Sequence, residues 1–333
     1  MINTEITLGI LIIIITFCLA GIVTDYWIRV ARKNKLEGKD MNKYSKPLVA
    51  EAGGIAVIAT LVFPLLVYIF IKTFFYQTEG NLVNLTITVV TILLACFIGF
   101  IDDILGWKKG LKQWQKLLLT LPVAIPLIVI NAGEHIMNVP FLGNVDFGLF
   151  YPLFLIPLAM IGTTNGYNIL AGYNGLEASL GVVIFGFLGI VSLTTGQFWL
   201  ALTAGIIVAS LLGFLIYNKF PSRVFPGDSL TYSLGALITL FAVFGNMEKM
   251  ALILFIPFIL EGILKLRSRL KAENFGIPNK DNSLERPYDK HYSLTHLAIT
   301  LIKKIKPSHK VYEKDVVLFI VAIEFILGVI ILI

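Results

Sequence analysis

The polar residues that interrupt this apolar chain are of the types that hold phosphates and divalent cations. Two adjacent carboxylates, Asp102 and Asp103, follow the run Ile92–Ile101. Like charges at a helix C-terminus face each other and the negative end of the dipole, so either a cation lies close by or the pair simply opens a loop. Lys116, in Gln113-Trp114-Gln115-Lys116-Leu117, is a candidate cation; on its own it also reads as a lysine snorkelling from a membrane boundary. Asn165, Asn168, Asn174 and Glu177 gather in the stretch from Thr164 to Glu177. Asn-Gly pairs are turn chemistry, yet Asn165 and Asn168 share a face if the helix continues, and amide oxygens suit hard cations. Asp228 follows Pro226-Gly227, where it reads as a helix N-cap whose spare backbone N–H groups would face an anion. Arg267 and Arg269 close another apolar run, and guanidinium forks suit phosphate oxygens. Together these groups fit a magnesium-bound diphosphate held where water meets lipid. Phosphoryl transfer asks a protein for little beyond positioning and charge neutralisation.

The elements that position these residues must be membrane helices. Charged residues make up 14% of the 333, against about 25% in soluble domains. The hydrophobic fraction is 57% and the mean hydropathy +0.84. Ala178–Asn218 runs 41 residues without Asp, Glu, Lys, Arg or His, about twice the ~20 residues that cross a bilayer core. The expected fold is therefore all-α, a polytopic integral membrane protein of ten transmembrane helices. They fall near 5–28, 49–71, 83–102, 114–132, 150–168, 177–195, 198–217, 229–245, 250–266 and 315–333, with a kink in 114–132 from Pro122 and Pro126. The first run lacks the basic n-region of a signal peptide and is kept as a span.

Basic residues set the orientation. Of 27 Lys and Arg, all but Lys72 and Lys249 fall in alternate connections, around 29–46, 108–116, 219–223 and 265–314. This places both termini outside and the active face in the cytoplasm, with a single domain, 1–333, and cytoplasmic loops near 29–48, 103–113, 165–177, 218–228 and 267–314. The net charge of +6 is explained by topology, without nucleic acid. A small outer hairpin is expected in 133–149 around Gly143-Asn144. The tract Lys303-Lys304-Ile305-Lys306 reads as a surface for anionic lipid heads. Cys18 and Cys96 read as small buried hydrophobes, and His291, His296 and His309 lack metal-ligand spacing.

With these motifs in view, the chain resembles the polyprenyl-phosphate N-acetylhexosamine-1-phosphate transferases, glycosyltransferase family 4, and within them the dolichyl-phosphate branch. The resemblance covers nearly the whole chain. Its pieces are Lys39-Asp40-Met41-Asn42-Lys43, Glu51-Ala52-Gly53-Gly54, Asp102-Asp103, Asn165–Glu177 and Pro221–Asp228. It implies a membrane enzyme that moves N-acetylglucosamine-1-phosphate from UDP-N-acetylglucosamine to dolichyl phosphate, the first committed step of lipid-linked N-glycan assembly. The alternative within the family is transfer to undecaprenyl phosphate for cell-wall or surface polysaccharide. Carried over by position, Asn168 and Asp228 hold Mg²⁺, with Mn²⁺ as its substitute. Lys116, Arg267 and Arg269 grip the phosphates and the sugar side, Phe225 stacks on uracil, and Glu51 and Asn174 contact uridine. Asn165 joins the substrate-binding set, and Asp102 and Asp103 are the acidic pair assigned to the lipid phosphate. A homodimer is compatible with all of this. Arg267-Ser268-Arg269 stands where the muramoyl-pentapeptide branch carries consecutive histidines, and the Asp103–Lys116 spacing is a few residues longer than in the eukaryotic enzymes. A transporter would instead place polar groups near the bilayer midplane and repeat its two halves.

Overall fold

The structure is a computed structural model that describes residues 2–78, 80–105, 113–139 and 143–333. Long helices open the chain: α1 (Ile2–Lys33), α2 (Gly54–Ile71) and α3 (Leu82–Leu105). The next apolar stretch is broken, with α4 (Gln113–Thr120), a 3-10 turn over Leu121–Ala124 and α5 (Ile125–Val129). Pro122 and Pro126 account for the break, since each lacks an N–H and crowds the carbonyl four residues back. α6 (Ile156–Ile169) follows a π-turn at Tyr151–Leu155, and then come α7 (Leu176–Thr194), α8 (Phe198–Asn218) and α9 (Gly227–Gly245). α10 (Glu248–Leu254) and α11 (Ile256–Leu266) divide at Phe255, ahead of Pro257. α12 (Leu294–Ile305) and α13 (Glu313–Ile330) complete the helices.

Six helices among the described residues are long and apolar enough to cross a membrane: α1, α2 with its π-turn extension to Tyr76, α3, α7, α8 and α9. The other four segments expected to span are the three interrupted ones and α13, whose polar groups include Glu313, Lys314, Asp315 and Glu324. Short hairpins add strands that an all-α expectation leaves out. β1 (Glu37–Lys39) pairs with β2 (Leu48–Ala50), β3 (Ile136–Val139) with β4 (Gly143–Asp146), and β5 (Ile277–Pro278) with β6 (Leu284–Glu285), all antiparallel. The expected hairpin in 133–149 is β3–β4, but Gly143 and Asn144 lie in its second strand, not in its turn. Most of the expected 103–113 loop, residues 106–112, lies outside the described residues. Cys96 is half-buried, while Cys18 is exposed on α1, contrary to its reading as a buried hydrophobe. The basic tract is largely spoken for: Lys303 pairs with Glu285 and Lys306 with Asp315.

α9 is the axis of the bundle. Every residue from Ser229 to Val243 is buried, as expected of a helix that is small or apolar all round. α3 and α6 pack along it most extensively, with α2, α7 and α10 closing the circle, while α8 packs against α1 and α7. Hydroxyl pairs tie the layers, Thr163 to Thr239 at 2.8 Å and Thr60 to Ser210 at 2.7 Å. α6 approaches α9 so closely that a Cβ on Gly235 would strike the backbone of Thr163 and Thr164. Backbone cannot swing aside as a side chain can, so Gly235→Ala should cost about 1–3 kcal/mol. The check is thermal unfolding of the detergent-solubilised protein. An unchanged Tm would mean that the two helices have room to part.

Candidate active site

The site is assembled where α3 ends and α9 begins. Val224 bridges to Ala50 of β2, Phe225 N–H donates to Ala50 O at 2.7 Å, and the N–H groups of Gly53 and Gly54 donate to the Phe225 and Pro226 carbonyls. This lashes the approach to α9 onto the start of α2. Gly227 then turns the chain at φ +71°, and a Cβ there would strike the Asp103 carboxylate. One turn earlier on α3, Gly99 has no Cβ, and so the backbone of Asp228 and Ser229 can lie against it.

This close approach decides what the acidic pair does. Asp103 Oδ1 accepts from Asp228 N–H at 2.6 Å and Oδ2 from Ser229 N–H at 3.1 Å. These are the donors that an N-cap side chain satisfies, so the cap of α9 comes from α3 across 125 positions of sequence. The reading of Asp228 as the cap is thereby corrected: it lies inside the first turn, and its carboxylate is turned elsewhere. Asp228 Oδ2 meets Lys116 Nζ at 2.8 Å, and the same ammonium meets Asp102 Oδ2 at 2.5 Å. The cation required by the adjacent carboxylates is therefore Lys116, shared by Asp102 and Asp228.

Lys116 faces a cavity of about 270 Å³, lined also by Asn165, Asn168, Tyr232, Lys265 and Asn274. Asn168 Nδ2 donates to Thr231 Oγ1 at 3.1 Å, which fixes its amide and leaves its oxygen as the acceptor beside the first turn of α9. Asn165 Nδ2 donates to Thr120 Oγ1 at 3.0 Å and to Ile161 O at 2.9 Å. Among the described residues no three His, Cys, Asp or Glu side chains are grouped to hold a metal by themselves. Mg²⁺ does not ask for such a group, since one or two carboxylates plus substrate phosphates suffice. An amide oxygen and a carboxylate already facing an ammonium are a donor set that fits it.

Other expected residues lie away from this cavity. Asn174 is 4% exposed with its polar atoms engaged: N–H and Nδ2 donate to Glu313, Nδ2 also to Asp40, and Oδ1 accepts from Ser222 N–H. Glu51 packs its side chain over Gly38, and its carbonyl accepts from Trp27 Nε1. Phe225 is half-buried above the α2–α9 lashing. Arg267 and Arg269 are exposed beyond α11, and Arg267 reaches the His291 carbonyl at 3.4 Å. The cation that α11 does send to the cavity is Lys265, which sequence reading passed over. A signal was there: Glu261 and Lys265 sit four apart within an apolar helix, where each charge needs a reason. Glu261 has one, accepting from Ser293 Oγ and Leu294 N–H at the head of α12.

Two consequences are measurable. Asp103→Ala strips two N–H donors of their acceptor and should cost about 1–3 kcal/mol, whereas Asp102→Asn, which keeps an acceptor toward Lys116, should cost less. Thermal unfolding of both variants checks this, and equal losses would deny the division of labour. Burial, and then the negative charge of Asp228, raise the pKa of Glu51 above 4.5. The native state then keeps the Glu51 proton after the unfolded chain has lost it, so stability falls as pH rises through that window. Glu51→Gln lacks this slope. Its Tm relative to wild type should climb as pH rises above the ordinary carboxylate range and level off once the native Glu51 has also ionised, and a constant difference would refute the shift.

The sequence profile described as glycosyl transferase family 4 matches residues 85–246. A Saccharolobus solfataricus protein with the provisional name UDP-N-acetylglucosamine–dolichyl-phosphate N-acetylglucosaminephosphotransferase is 36% identical over 296 residues, 87% of each chain. A Sulfolobus acidocaldarius protein with the same provisional name is 31% identical over 326 residues, 97% of this chain and 95% of that one. A Clostridium perfringens phospho-N-acetylmuramoyl-pentapeptide-transferase is 31% identical over 291 residues, 84% and 88% of the two chains. The matched span includes the Asp102-Asp103 pair, Lys116, Asn165 and Asn168 of α6, and Asp228, and with 36% identity to the Saccharolobus protein over 87% of each sequence the chain belongs to glycosyl transferase family 4.

Proposed function

We propose that this chain transfers N-acetylglucosamine-1-phosphate from UDP-N-acetylglucosamine to a polyprenyl phosphate of the dolichyl type, releasing UMP. The observation that carries the reading is Lys116, bridged by Asp102 and Asp228 at the wall of a cavity that Asn165 and Asn168 also line. The distribution of Lys and Arg supports ten membrane crossings, both termini outside, and this cavity on the cytoplasmic face. A membrane enzyme so placed meets a water-borne nucleotide and a lipid-borne phosphate at one boundary.

In the reaction a phosphate oxygen of the lipid attacks the β-phosphorus of the donor. A new P–O bond forms, the bond from the β-phosphorus to the α–β bridging oxygen breaks, and UMP leaves with that electron pair. Asn168 and Asp228 are the residues to hold Mg²⁺, which when bound offsets the charge of the diphosphate. Lys116 supplies a fixed positive charge beside the reacting phosphates, and Asp102 holds it there. Neither carboxylate of the pair has to remove a proton. A phosphate monoester has a second pKa of ~6, so the acceptor is mostly dianionic at neutral pH. Asp103 contributes by fixing the turn on which Asp228 stands.

The test is transfer of label from UDP-[¹⁴C]N-acetylglucosamine into extractable lipid by the purified chain. Dolichyl and undecaprenyl phosphate are supplied in parallel, with UDP-N-acetylmuramoyl-pentapeptide as a competing donor because the Clostridium relative bears that name. Labelled lipid and UMP should form with Mg²⁺, stop with EDTA, and fall at least about a hundredfold in Asp228→Ala. Transfer only from the muramoyl donor would move the chain to that branch. No transfer from any donor would refute the enzyme reading.

A further inference from the structure

Away from the cavity, five polar side chains form one buried knot. Asp40, Asn42, Lys43, Asn174 and Glu313 are each under 9% exposed. They come from the β1–β2 turn, the loop between α6 and α7, and the first residue of α13. Glu313 is the hub. Its Oε1 accepts from Asn174 N–H at 2.7 Å, Asn174 Nδ2 at 2.6 Å and Asn42 Nδ2 at 3.4 Å, and its Oε2 pairs with the Lys43 ammonium. Lys43 also pairs with Asp40 at 3.3 Å and lies 4.2 Å from the centre of the Phe220 ring. Asp40 Oδ2 accepts from Asn174 Nδ2, and Asn42 reaches outward to Gly172 O and Gly276 N–H.

Besides the Lys43–Phe220 contact, the knot reaches toward the site by a hydrogen bond. Asn174 Oδ1 accepts from Ser222 N–H at 3.0 Å, and Ser222 Oγ donates to Val224 O at 2.7 Å. Phe225 comes next in the chain, and then the turn into Asp228. A single side chain at the head of the last helix thus fixes the segment that leads to the cavity, without reaching the cavity itself. Only a carboxylate suits position 313, because both of its oxygens face donors. An amide there would point its NH₂ either at Lys43 or at the Asn174 N–H. Placement at a helix N-terminus also favours its negative charge.

We propose that Glu313 is a positioning residue for the nucleotide half of the reaction. Through Asn174 and Ser222 it sets the 220–226 segment, so its loss weakens donor binding and leaves the chemistry and the lipid acceptor untouched. The inference rests on the transferase reading above. It also gives Asn174 a part beside the uridine contact implied by resemblance, that of relay between Glu313 and the segment bearing Phe225.

The experiment uses the full chain in detergent and measures donor KM, acceptor KM, kcat, UMP affinity by calorimetry, and Tm. A buried charge-assisted link of this kind supports an effect of about tenfold in binding. Glu313→Gln should therefore raise both donor KM and the UMP Kd about tenfold, with kcat within about twofold and acceptor KM unchanged. Lys43→Met should shift the same two quantities, and the double variant should be no worse than the poorer single one, because the residues act as a unit. Lys43→Met alone decides the matter if Glu313→Gln does not fold. A folded variant with wild-type donor KM and UMP affinity overturns the inference, as does one that loses kcat at unchanged donor KM. A wild-type chain that neither transfers sugar phosphate nor binds UMP overturns the transferase reading itself. Wild-type transfer with unshifted variants overturns the Glu313 proposal alone.

Discussion

A helix that starts inside a protein leaves its first backbone N–H groups without partners, and burying them bare costs a few kcal/mol at most sites. α9 starts that way, at the centre of its bundle, and the carboxylate that meets the need is Asp103 of α3. Other features of the site follow from this contact. It demands that the two helices nearly touch, which Gly99 permits, and that the chain turn sharply at Gly227 under the carboxylate. With Asp103 occupied, its neighbour Asp102 is the member of the pair left to face Lys116. With α9 capped from outside, Asp228 need not cap it and can face Lys116 as well.

The resulting charge pattern suits an anionic substrate better than it first looks. Three carboxylates converge, which by itself would repel a diphosphate. One is consumed by backbone N–H groups, and the other two share an ammonium. Three carboxylates against one ammonium leave a formal excess of two negative charges, the charge that the divalent cation proposed above would offset. A second lysine, Lys265, joins the same cavity from α11 and is held at 2.5 Å by the Ala272 carbonyl. Positive charge on two walls, amides from α6 and an aromatic floor at Tyr232 are suited to phosphates flanked by neutral hydroxyl and amide groups.

Much of this was legible in the chain, and the parts that were not share a cause. The apolar runs mark the helices because a hydrophobic stretch of bilayer length is hard to bury in any other way. The Asp pair asks for a cation by simple repulsion, and Lys116 answers. The Asn165–Asn168 spacing predicts a shared face, and both line the cavity. What sequence does not reveal is which partner each group takes across long separations. Asp103 and Asp228 look alike as strings, yet one caps and the other faces Lys116. Arg267 and Arg269 have the chemistry for phosphate, but they lie past the end of α11 while Lys265 points inward. Asn174 sits among apparent ligands, and its amide also bonds Asp40, Glu313 and the Ser222 backbone N–H. The strands of the short hairpins are two to four residues long, below the length at which alternation can be read.

The same long separations bear on how the protein is made. Asp103 waits 125 positions for its donors, Lys116 waits 112 for Asp228, and Lys43 waits 270 for Glu313. Helices leave the ribosome in order, so the first three can be in the membrane long before α9 exists to be capped. The acidic pair and the future substrate loops must then tolerate an interval without their partners. Contacts of such high sequence separation close late and together. A partly synthesised chain therefore owns nearly every reactive group and no working arrangement of them, and the knot at Glu313 is among the last joints to close.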